Sequence, residues 1–409
     1  MINIRRFFYW SLGLDLGYLV GNGVFMAVKQ ILGTLSGLAL VYFFTNFASQ
    51  SDFGIYNMVI SVFGVISAIS LSGIGTSLTR SIASGYDSSY VVAINLKTKF
   101  SFAGSFILFF LFLFYLNRSQ ESLAFSFLIL ALLFPIISRY SSYPYVLVAK
   151  KNFKKHAIYS SVSQVVIVFS LILAIIFGLN IIYILFLYFF LNTILNFIFH
   201  NKVIKLLKNL VIDKDFKSFT YFMSIIAGLA LTAQHLDKVI LGSLNDLSTL
   251  AIYSLALTIP ESLNTNLKTF MGIFTVKLIK KKDEEKKEIF KKFYLRLIFL
   301  GVVLAASFWM IIPFFIRYFF PESYKEAIFY SQLLSLALIF SPLVIALSSS
   351  VTYSGNYKHT LFFNIFPTIV RLVIYIALIP LYGIFGAVVA LITERLLSAV
   401  VLTYLVFKR

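Results

Sequence analysis

Long apolar runs alternate with short polar intervals over the whole chain. Each run is long enough for a helix of about 17–25 residues, the length that crosses the hydrocarbon core of a bilayer. The predicted spans are about 24–46, 55–75, 97–116, 122–147, 157–178, 182–203, 219–242, 248–276, 295–316, 327–352, 360–380 and 383–406. The pattern therefore predicts an all-α integral membrane protein with about twelve transmembrane helices.

The composition agrees with this fold class and removes several kinds of chemistry. The chain is 60% hydrophobic and 12% charged, whereas about a quarter of the residues in a soluble domain are charged. It has no cysteine, which excludes disulfides and thiol chemistry. It also lacks a Walker A sequence and metal-ligand spacing among its histidines, so we predict no cofactor and no metal site.

The distribution of Lys and Arg predicts the orientation. With the N-terminus inside, 26 of these residues fall on inner segments and 3 on outer loops, namely Arg118, Arg317 and Lys325. Because cytoplasmic loops carry an excess of Lys and Arg, both termini are predicted to be cytoplasmic. Arg5 to Trp10 is interpreted as an interfacial segment. No outer loop is long enough to hold a soluble domain, so function is expected within the membrane.

The two halves of the chain resemble each other. "SDFGIYNMVIS" around Tyr56 matches "STLAIYSLALT" around Tyr253, and "NFKKHAIY" from Asn152 matches "NYKHTLFF" from Asn356. Equivalent loops lie on the same side, which indicates parallel six-helix repeats related by an axis along the membrane normal. We predict an N-terminal lobe at 1–210 and a C-terminal lobe at 211–409, rocking about a central cavity.

Nine charged residues remain inside the predicted helices. They are the bases Lys29, Arg139, Lys238, Lys268, Arg371 and Arg395 and the acids Asp237, Glu261 and Glu394. A charge at mid-bilayer costs at least about 2.5–3.5 kcal/mol, so each is expected to face protein or water. Lys29 is near enough to the inner face to snorkel, which remains an alternative to a cavity position. Arg371 and Arg395 are too deep to snorkel, which leaves a structural pair or a cavity position.

Polar residues recur at helical spacing beside the deep cations. Glu261, Thr265 and Lys268 share one face with Asn264 at its border, and Asn364, Arg371 and Tyr375 share another. We therefore predict a hydrated, net cationic cavity that attracts an anion. Its predicted lining is Lys29, Arg139, Asn264, Thr265, Lys268, Asn364, Arg371, Tyr375 and Arg395.

The stretch "TAQHLDKVILGSL" places Asp237 and Lys238 one to two turns from the outer end of the seventh helix. Neighbours in sequence point about 100° apart on a helix, so these two need not pair. The stretch is interpreted as an outer gate or lobe contact, with Asp237 pairing to a base on another helix.

Several stretches, in order, resemble the bacterial polysaccharide or O-antigen repeat-unit flippases (Wzx-type). They include "YFFTNFASQSDFGIYNMVISV", "SGIGTSLTRSIASG", "LVAKKNFKKHAIYSSV", "HLDKVILGSLNDLSTLAIYSLALTIPES", "FFPESYKEAI" and "PLYGIFGAVVA". The likeness covers essentially the whole chain. It points to the multidrug/oligosaccharidyl-lipid/polysaccharide exporter superfamily and to a MATE-like fold of two six-helix lobes around a V-shaped central cavity.

The resemblance implies a secondary transporter of the bacterial inner membrane. Its substrates would be undecaprenyl-diphosphate-linked oligosaccharides, flipped to the periplasmic leaflet by alternating access. A cation-rich lumen in this family would match Arg139, Lys268, Arg371 and Arg395 in role. H⁺ or Na⁺ is the expected coupling ion, with Asp237, Lys238, Glu261 and Glu394 in coupling or gating. Membrane lipids and other polysaccharide assembly proteins are expected partners; nucleic acid is not.

Two other functions remain open from the sequence. A multidrug antiporter of the same superfamily would need an acidic, aromatic cavity, which the net positive charge inside the helices disfavours. A membrane polysaccharide polymerase or glycosyltransferase would usually need a large outer loop, which this chain lacks.

Overall fold

Antiparallel helices form the protein, and the computed structural model describes residues 16–209, 211, 213–244, 246–275, 283–353 and 357–408. No strand occurs in these ranges. The helices are α1 (Leu16–Phe47), α2 (Gln50–Ile69), α3 (Ile74–Ala83), α4 (Ser89–Asn117), α5 (Glu121–Tyr140), α6 (Tyr143–Ala149), α7 (Phe153–Ile176), α8 (Ile181–Ile204), α9 (Phe216–Leu244), α10 (Leu247–Thr275), α11 (Asp283–Phe319), α12 (Glu326–Ser335), α13 (Ser341–Tyr353), α14 (Tyr357–Tyr382) and α15 (Ile384–Phe407).

These helices make twelve crossings between two ends of the molecule. Within the described ranges ten helices are long and apolar enough to span a membrane, and the pair α12–α13, bent by 42°, makes an eleventh. The twelfth, α10, is 29 residues long but more polar. It crosses because it forms an antiparallel hairpin with α9 through a short connection, and so runs back between the same two ends of the molecule. The predicted all-α, multi-pass fold is confirmed.

Two of the predicted continuous spans are broken helices. The first break separates α2 from α3, where Leu71 has a positive φ of 61°. The second separates α5 from α6, and Pro144 sits in the first turn of α6, where a missing N–H costs least. The prediction of a single helix at 55–75 is therefore corrected. Residues 121–149 still form one span with the break inside it, and the predicted span at 327–352 is the bent pair α12–α13.

The boundary of α4 also corrects the sequence interpretation. The helix begins at Ser89 rather than near 97, because Tyr90, Ala93 and Ile94 already form a buried helical face. Lys97 and Lys99, at the start of the predicted span, are among the 26 Lys and Arg residues counted on inner segments. They lie instead two to three turns inside α4.

Three hydrophobic cores define the shape of the molecule. The largest joins both halves of the chain, from Phe44 to Leu391, and lies near the ends of α1 and α9, which we name the far end. The opposite end, which carries the Lys-rich loops around Lys150 and Lys208, is named the basic end. There the core divides into one cluster around Leu78 and another around Leu347. Two lobes, α1–α8 and α9–α15, thus share the far-end core. At the basic end the Leu78 cluster includes Phe216 of α9, whereas the Leu347 cluster lies within the C-terminal lobe.

One seam joins the lobes along their length. A side chain on Gly54 of α2 would lie 2.0 Å from the carbonyl oxygen of Leu247, so only glycine allows this close approach. Nearer the basic end, the N–H of Gly73 donates to Ser224 Oγ at 3.3 Å. At the far end, Asn46 Nδ2 donates to the carbonyl of Phe319 at 3.0 Å.

The internal repeat agrees with the fold where the structure describes it. Tyr56 and Tyr253 are each the seventh residue of the second crossing of their lobe. Asn152 caps α7 by accepting a hydrogen bond from the N–H of Lys155 at 3.2 Å. Its predicted counterpart Asn356 lies outside the described residues, as does the predicted interfacial segment at 5–10. The predicted lobe boundary, near residue 210, falls in the connection between α8 and α9.

A buried carboxylate holds this connection against the N-terminal lobe. Asp87, in the loop between α3 and α4, is 3% exposed. It accepts hydrogen bonds from Lys150 Nζ at 2.7 Å and from the N–H groups of Lys208 and Asn209 at 2.9 and 3.2 Å. Burial alone raises the pKa of Asp87, but these bonds outweigh it, so the net pKa lies below its ordinary value.

We predict that Asp87 makes stability depend on pH. Since its folded pKa lies below the unfolded value of about 3.9, the stabilisation is present at neutral pH and is lost as pH falls through the folded pKa. Asp87→Asn should cost about 1–3 kcal/mol at pH 7 and flatten the acid dependence. Thermal unfolding of purified protein from pH 7 to pH 3 measures both effects. Exposed Asp215→Asn is the control, and an equal acid dependence in wild type and Asp87→Asn contradicts the prediction.

Candidate functional site

A buried acid lies at the centre of the C-terminal lobe. Asp237 on α9 is fully buried, and its Oδ2 accepts hydrogen bonds from the Tyr253 hydroxyl at 2.6 Å and the Tyr375 hydroxyl at 3.4 Å. Arg371 Nε donates to the Tyr375 hydroxyl at 2.6 Å. The two tyrosines thus connect a carboxylate on α9 with a guanidinium on α14.

Sequence spacing explains how these groups come together. Arg371 and Tyr375 are four residues apart on α14 and share one face, and the guanidinium lies 5.0 Å from the centre of the Tyr375 ring. Tyr253 is close to Asp237 because α9 and α10 form an antiparallel hairpin with a short connection.

A second charged cluster lies between α10 and α15. Arg395 Nη2 is 3.4 Å from Glu261 Oε1, and Arg395 Nε is 3.7 Å from Glu394 Oε2. Asn264 extends the cluster by donating to Glu261 at 3.4 Å. Arg395 is 20% exposed and Glu261 48%, so this cluster is open to solvent where the Asp237 cluster is closed.

The C-terminal lobe therefore neutralises its own deep charges. Asp237, Glu261 and Glu394, on α9, α10 and α15, balance three bases, namely Lys238 on α9, Arg371 on α14 and Arg395 on α15. Lys268 is the remaining predicted base of this lobe, and it is exposed on α10.

Cations of the N-terminal lobe have a different environment. Lys29 Nζ on α1 lies 3.1 Å from His156 Nε2 on α7. Arg139 Nη1 donates to Thr98 Oγ1 at 3.4 Å and lies 5.8 Å from the centre of the Tyr140 ring. Neither cation has a carboxylate partner in the part of the chain that the structure describes. Deep positive charge in this lobe is thus uncompensated.

An open cavity of about 430 Å³ with a mixed apolar and polar lining lies between the lobes, beside the α2–α3 and α5–α6 breaks. Lys97 of α4 contributes the one charged side chain among its lining residues, with Tyr145 of α6 and Gln234 of α9 as further polar groups. Lys97 Nζ donates to Ser141 Oγ at 2.6 Å. Five serines also line it: Ser67, Ser70, Ser72, Ser138 and Ser141.

Comparison with known families agrees with this two-lobed arrangement. Residues 19–265, more than half of the chain, match the family model described as polysaccharide biosynthesis protein. The chain belongs to this family. Among curated proteins, none matches the sequence significantly.

Solved structures of transporters share the fold. An inward-facing multidrug resistance MATE family transporter of the MOP superfamily aligns with a TM-score of 0.70 and 15% identity, over 94% of this chain and 98% of that one. Its outward-facing counterpart gives 0.60 and 14%, over 95% of each chain. A MOP superfamily transporter from Pyrococcus furiosus, described as having a binding pocket of reverse polarity, gives 0.65 and 13%, over 95% of each chain. The predicted MATE-like exporter fold is confirmed.

The site residues that the sequence predicted fall into separate groups in the structure. Asp237, Arg371 and Tyr375 lie together, as do Glu261, Asn264, Glu394 and Arg395, whereas Lys29 and Arg139 lie apart in the other lobe. Tyr375 is fully buried in the core rather than on a cavity wall. Thr265 and Asn364 are exposed and bond the backbone carbonyls of Glu261 and Thr360. Asp237 was predicted to pair with a base on another helix. In the structure it is linked to Arg371 of α14 through the Tyr375 hydroxyl, inside the C-terminal lobe.

Sequence reasoning missed Lys97 and Tyr253. Lys97 follows Tyr90, Ala93 and Ile94 at helical spacing, so the buried stripe of α4 carried a signal for it. Tyr253 was noted as a repeat marker, but its hydrogen bond to Asp237 depends on the α9–α10 hairpin.

We predict that the Tyr253 hydroxyl stabilises the C-terminal lobe. Tyr253→Phe removes a buried hydrogen bond to a carboxylate, which should cost about 1.5–3 kcal/mol. Thermal unfolding in detergent measures the loss, and Tyr318→Phe at a side chain 84% exposed is the matched control. Combining Tyr253→Phe with Asp237→Asn should cost less than the sum of the two single changes. Strict additivity contradicts a direct bond between these groups.

Proposed function

We propose that the protein flips undecaprenyl-diphosphate-linked oligosaccharides from the cytoplasmic to the periplasmic leaflet of the bacterial inner membrane. The observation that carries the proposal is uncompensated positive charge beside an interlobe cavity in a member of a polysaccharide biosynthesis family. A diphosphate is the anion expected on a lipid-linked sugar, and cations that lack carboxylate partners are suited to receive it.

The division of the cores supports the direction of transport. The Leu347 cluster at the basic end packs only within the C-terminal lobe, so that lobe can open there about α9, which stays packed on the N-terminal lobe through Phe216. The positive-inside rule assigns that end to the cytoplasm, with both termini on that side. The lipid-linked sugar would enter from the cytoplasmic leaflet with its polyprenyl tail between lobes and in lipid. Rocking about the far-end core would then expose the cavity to the periplasm.

An ion gradient is the proposed energy source. Asp237, Glu261 and Glu394 are the candidate coupling carboxylates, with Lys238 beside Asp237. Glu394 is the most suitable proton carrier of the three, since its Oε2 is buried without a hydrogen-bond partner and lies 3.7 Å from Arg395. Binding of the coupling ion at Glu394 would weaken its ion pair with Arg395, so the charge balance of this cluster would change with the gradient.

Export of cationic drugs is the second candidate, because two of the compared structures are multidrug resistance MATE family transporters. A cationic substrate would need acids on the cavity wall. The lining residues are serines, Tyr145, Gln234, apolar residues and Lys97, with no acid among them, which favours an anionic substrate.

Arginine replacements test the proposed function. We expect Arg371→Ala and Arg395→Ala to reduce flipping of an undecaprenyl-diphosphate-linked oligosaccharide in proteoliposomes by at least tenfold. The reason is that each change leaves carboxylates of the C-terminal lobe without their counter-charge. Arg317→Ala, on the far-end surface, is the control, and native-like thermal unfolding must accompany any loss.

Three results of this assay oppose the proposal or a part of it. Flipping at the wild-type rate by both folded arginine variants removes the role of these cations. A wild-type rate that ignores imposed H⁺ and Na⁺ gradients removes ion coupling while leaving the flippase. A wild-type protein that moves a cationic drug and no lipid-linked sugar favours the antiporter.

A further inference from the structure

We infer that α11 carries a binding site for an anionic phospholipid of the cytoplasmic leaflet, with the headgroup held by Lys292 and Arg296. The site lies at the basic end, on the outer side of the C-terminal lobe, and is separate from the cavity between the lobes. Only the name of the leaflet rests on the proposed orientation. The site itself follows from the depth, exposure and charge of α11.

The length of α11 sets the depth of these two cations. Between Arg296 and Arg317 lie 20 residues, 297–316, without a charged side chain. At about 1.5 Å per residue this stretch is about 30 Å long, which matches the hydrocarbon core of a bilayer. Arg296 therefore lies at the boundary of the core at the basic end. Lys292 lies about 6 Å further out along the helix, at the level of lipid phosphates.

Both cations lie on the face of α11 that points away from the protein. Their side chains are exposed, and helical spacing places Leu295 and Phe299 on the same face. Leu295 is 76% exposed and Phe299 is 69% exposed, and Met310 continues the exposed apolar stripe towards the far end. An apolar surface that begins directly below two cations matches a phospholipid, whose acyl chains lie below a charged headgroup.

The opposite face of the same segment is fixed in the protein. Phe290 is buried in the Leu347 cluster, and Tyr294 packs against that cluster. The Tyr294 ring also lies 5.9 Å from the Phe407 ring of α15, centre to centre. The folded C-terminal lobe therefore holds the backbone of the site in place, so a bound headgroup orders two side chains and no loop.

The protein does not neutralise either cation. Lys292 and Arg296 are four residues apart, and like charges at this spacing destabilise a helix. Among the residues that the structure describes, neither forms an ion pair with a carboxylate. The Arg296 guanidinium lies 5.3 Å from the centre of the Phe293 ring, a contact that uses none of its N–H donors. A phosphate shared by the two side chains removes the repulsion and accepts hydrogen bonds from both.

Acidic residues further along the same face favour a lipid over a soluble acidic protein. Glu285 and Glu288 precede Lys292 and Arg296 at helical spacing, and both acids are exposed. They lie further from the hydrocarbon core than the two cations. A soluble acidic partner would approach past these carboxylates and be repelled, whereas a headgroup in the membrane meets the cations directly.

Native mass spectrometry of the purified full-length protein tests the site by counting bound lipids. Dioleoyl phosphatidylglycerol and dioleoyl phosphatidylcholine are titrated separately onto delipidated protein in a neutral detergent. The first binding step should be at least tenfold tighter for phosphatidylglycerol, because each basic residue near a membrane surface attracts an anionic lipid. The double variant Lys292→Gln with Arg296→Gln should lose this preference.

Matched variants separate this pair from basic charge in general. Lys292→Arg with Arg296→Lys keeps both charges and should keep the preference. Lys291→Gln, about 100° around the helix from Lys292, should behave as wild type. Arg118→Gln should do so as well, since Arg118 is an exposed far-end cation that lies 4.4 Å from the centre of the Phe114 ring. If the double glutamine variant does not fold, Arg296→Gln alone should lower the preference at least threefold.

Several outcomes overturn the inference. A preference that persists in the folded double glutamine variant, or equal binding of the two lipids by the wild type, removes the site. An equal loss of preference in Lys291→Gln removes the assignment to this pair. Displacement of phosphatidylglycerol by an equal concentration of glycerol 3-phosphate or of undecaprenyl diphosphate removes the phospholipid as the occupant. The measurement involves no transport, so its failure leaves the proposed flipping function unaffected.

Discussion

The shared hydrophobic core at the far end is the constraint on which the rest of the structure depends. It joins helices of both lobes through residues such as Phe44, Phe53 and Tyr324. At the basic end one cluster joins the N-terminal lobe to Phe216 of α9, and another lies within the C-terminal lobe. Apolar burial is not directional, so such a core can hold two lobes together while allowing them to rotate. The interlobe contacts of Gly54 with Leu247 and of Gly73 with Ser224 guide that rotation. Asp87 fixes the connection between the lobes at the basic end.

Charge follows the same division. In the C-terminal lobe, acids and bases from α9, α10, α14 and α15 form two clusters in which Asp237 and Arg395 are the central members. In the N-terminal lobe, Lys29, Lys97 and Arg139 have neutral partners, namely His156, Ser141 and Thr98. An intramembrane charge persists where protein or water compensates it. A lobe that compensates its charges internally is suited to ion-linked switching. A lobe whose cations have no carboxylate partners is suited to binding an anion.

The family followed from the resemblance of ordered motifs, whereas periodicity and charge were sufficient to predict the fold class and its many membrane spans, because apolar runs and basic loops are local features of the sequence. They also identified the acids and bases of the C-terminal clusters, since a charge inside an apolar run stands out. They could not predict which groups meet. Tyr253 contacts Asp237 through tertiary packing, and Lys97 stood where an apolar run was expected to begin. The helix breaks at Leu71 and Ser141 were missed because their neighbours remain apolar enough for a single span.

Distances across the two ends of the molecule test alternating access most directly. Pairs of single cysteines can carry spin labels without background, since the chain has no native cysteine. Lys151→Cys with Lys358→Cys reports the basic end, and Asn117→Cys with Tyr318→Cys reports the far end. In lipid nanodiscs, undecaprenyl-diphosphate-linked oligosaccharide combined with a change of pH or Na⁺ should shorten the first distance and lengthen the second in the same population. Distances that stay fixed, or that change in the same direction at both ends, contradict rocking of two lobes about the far-end core.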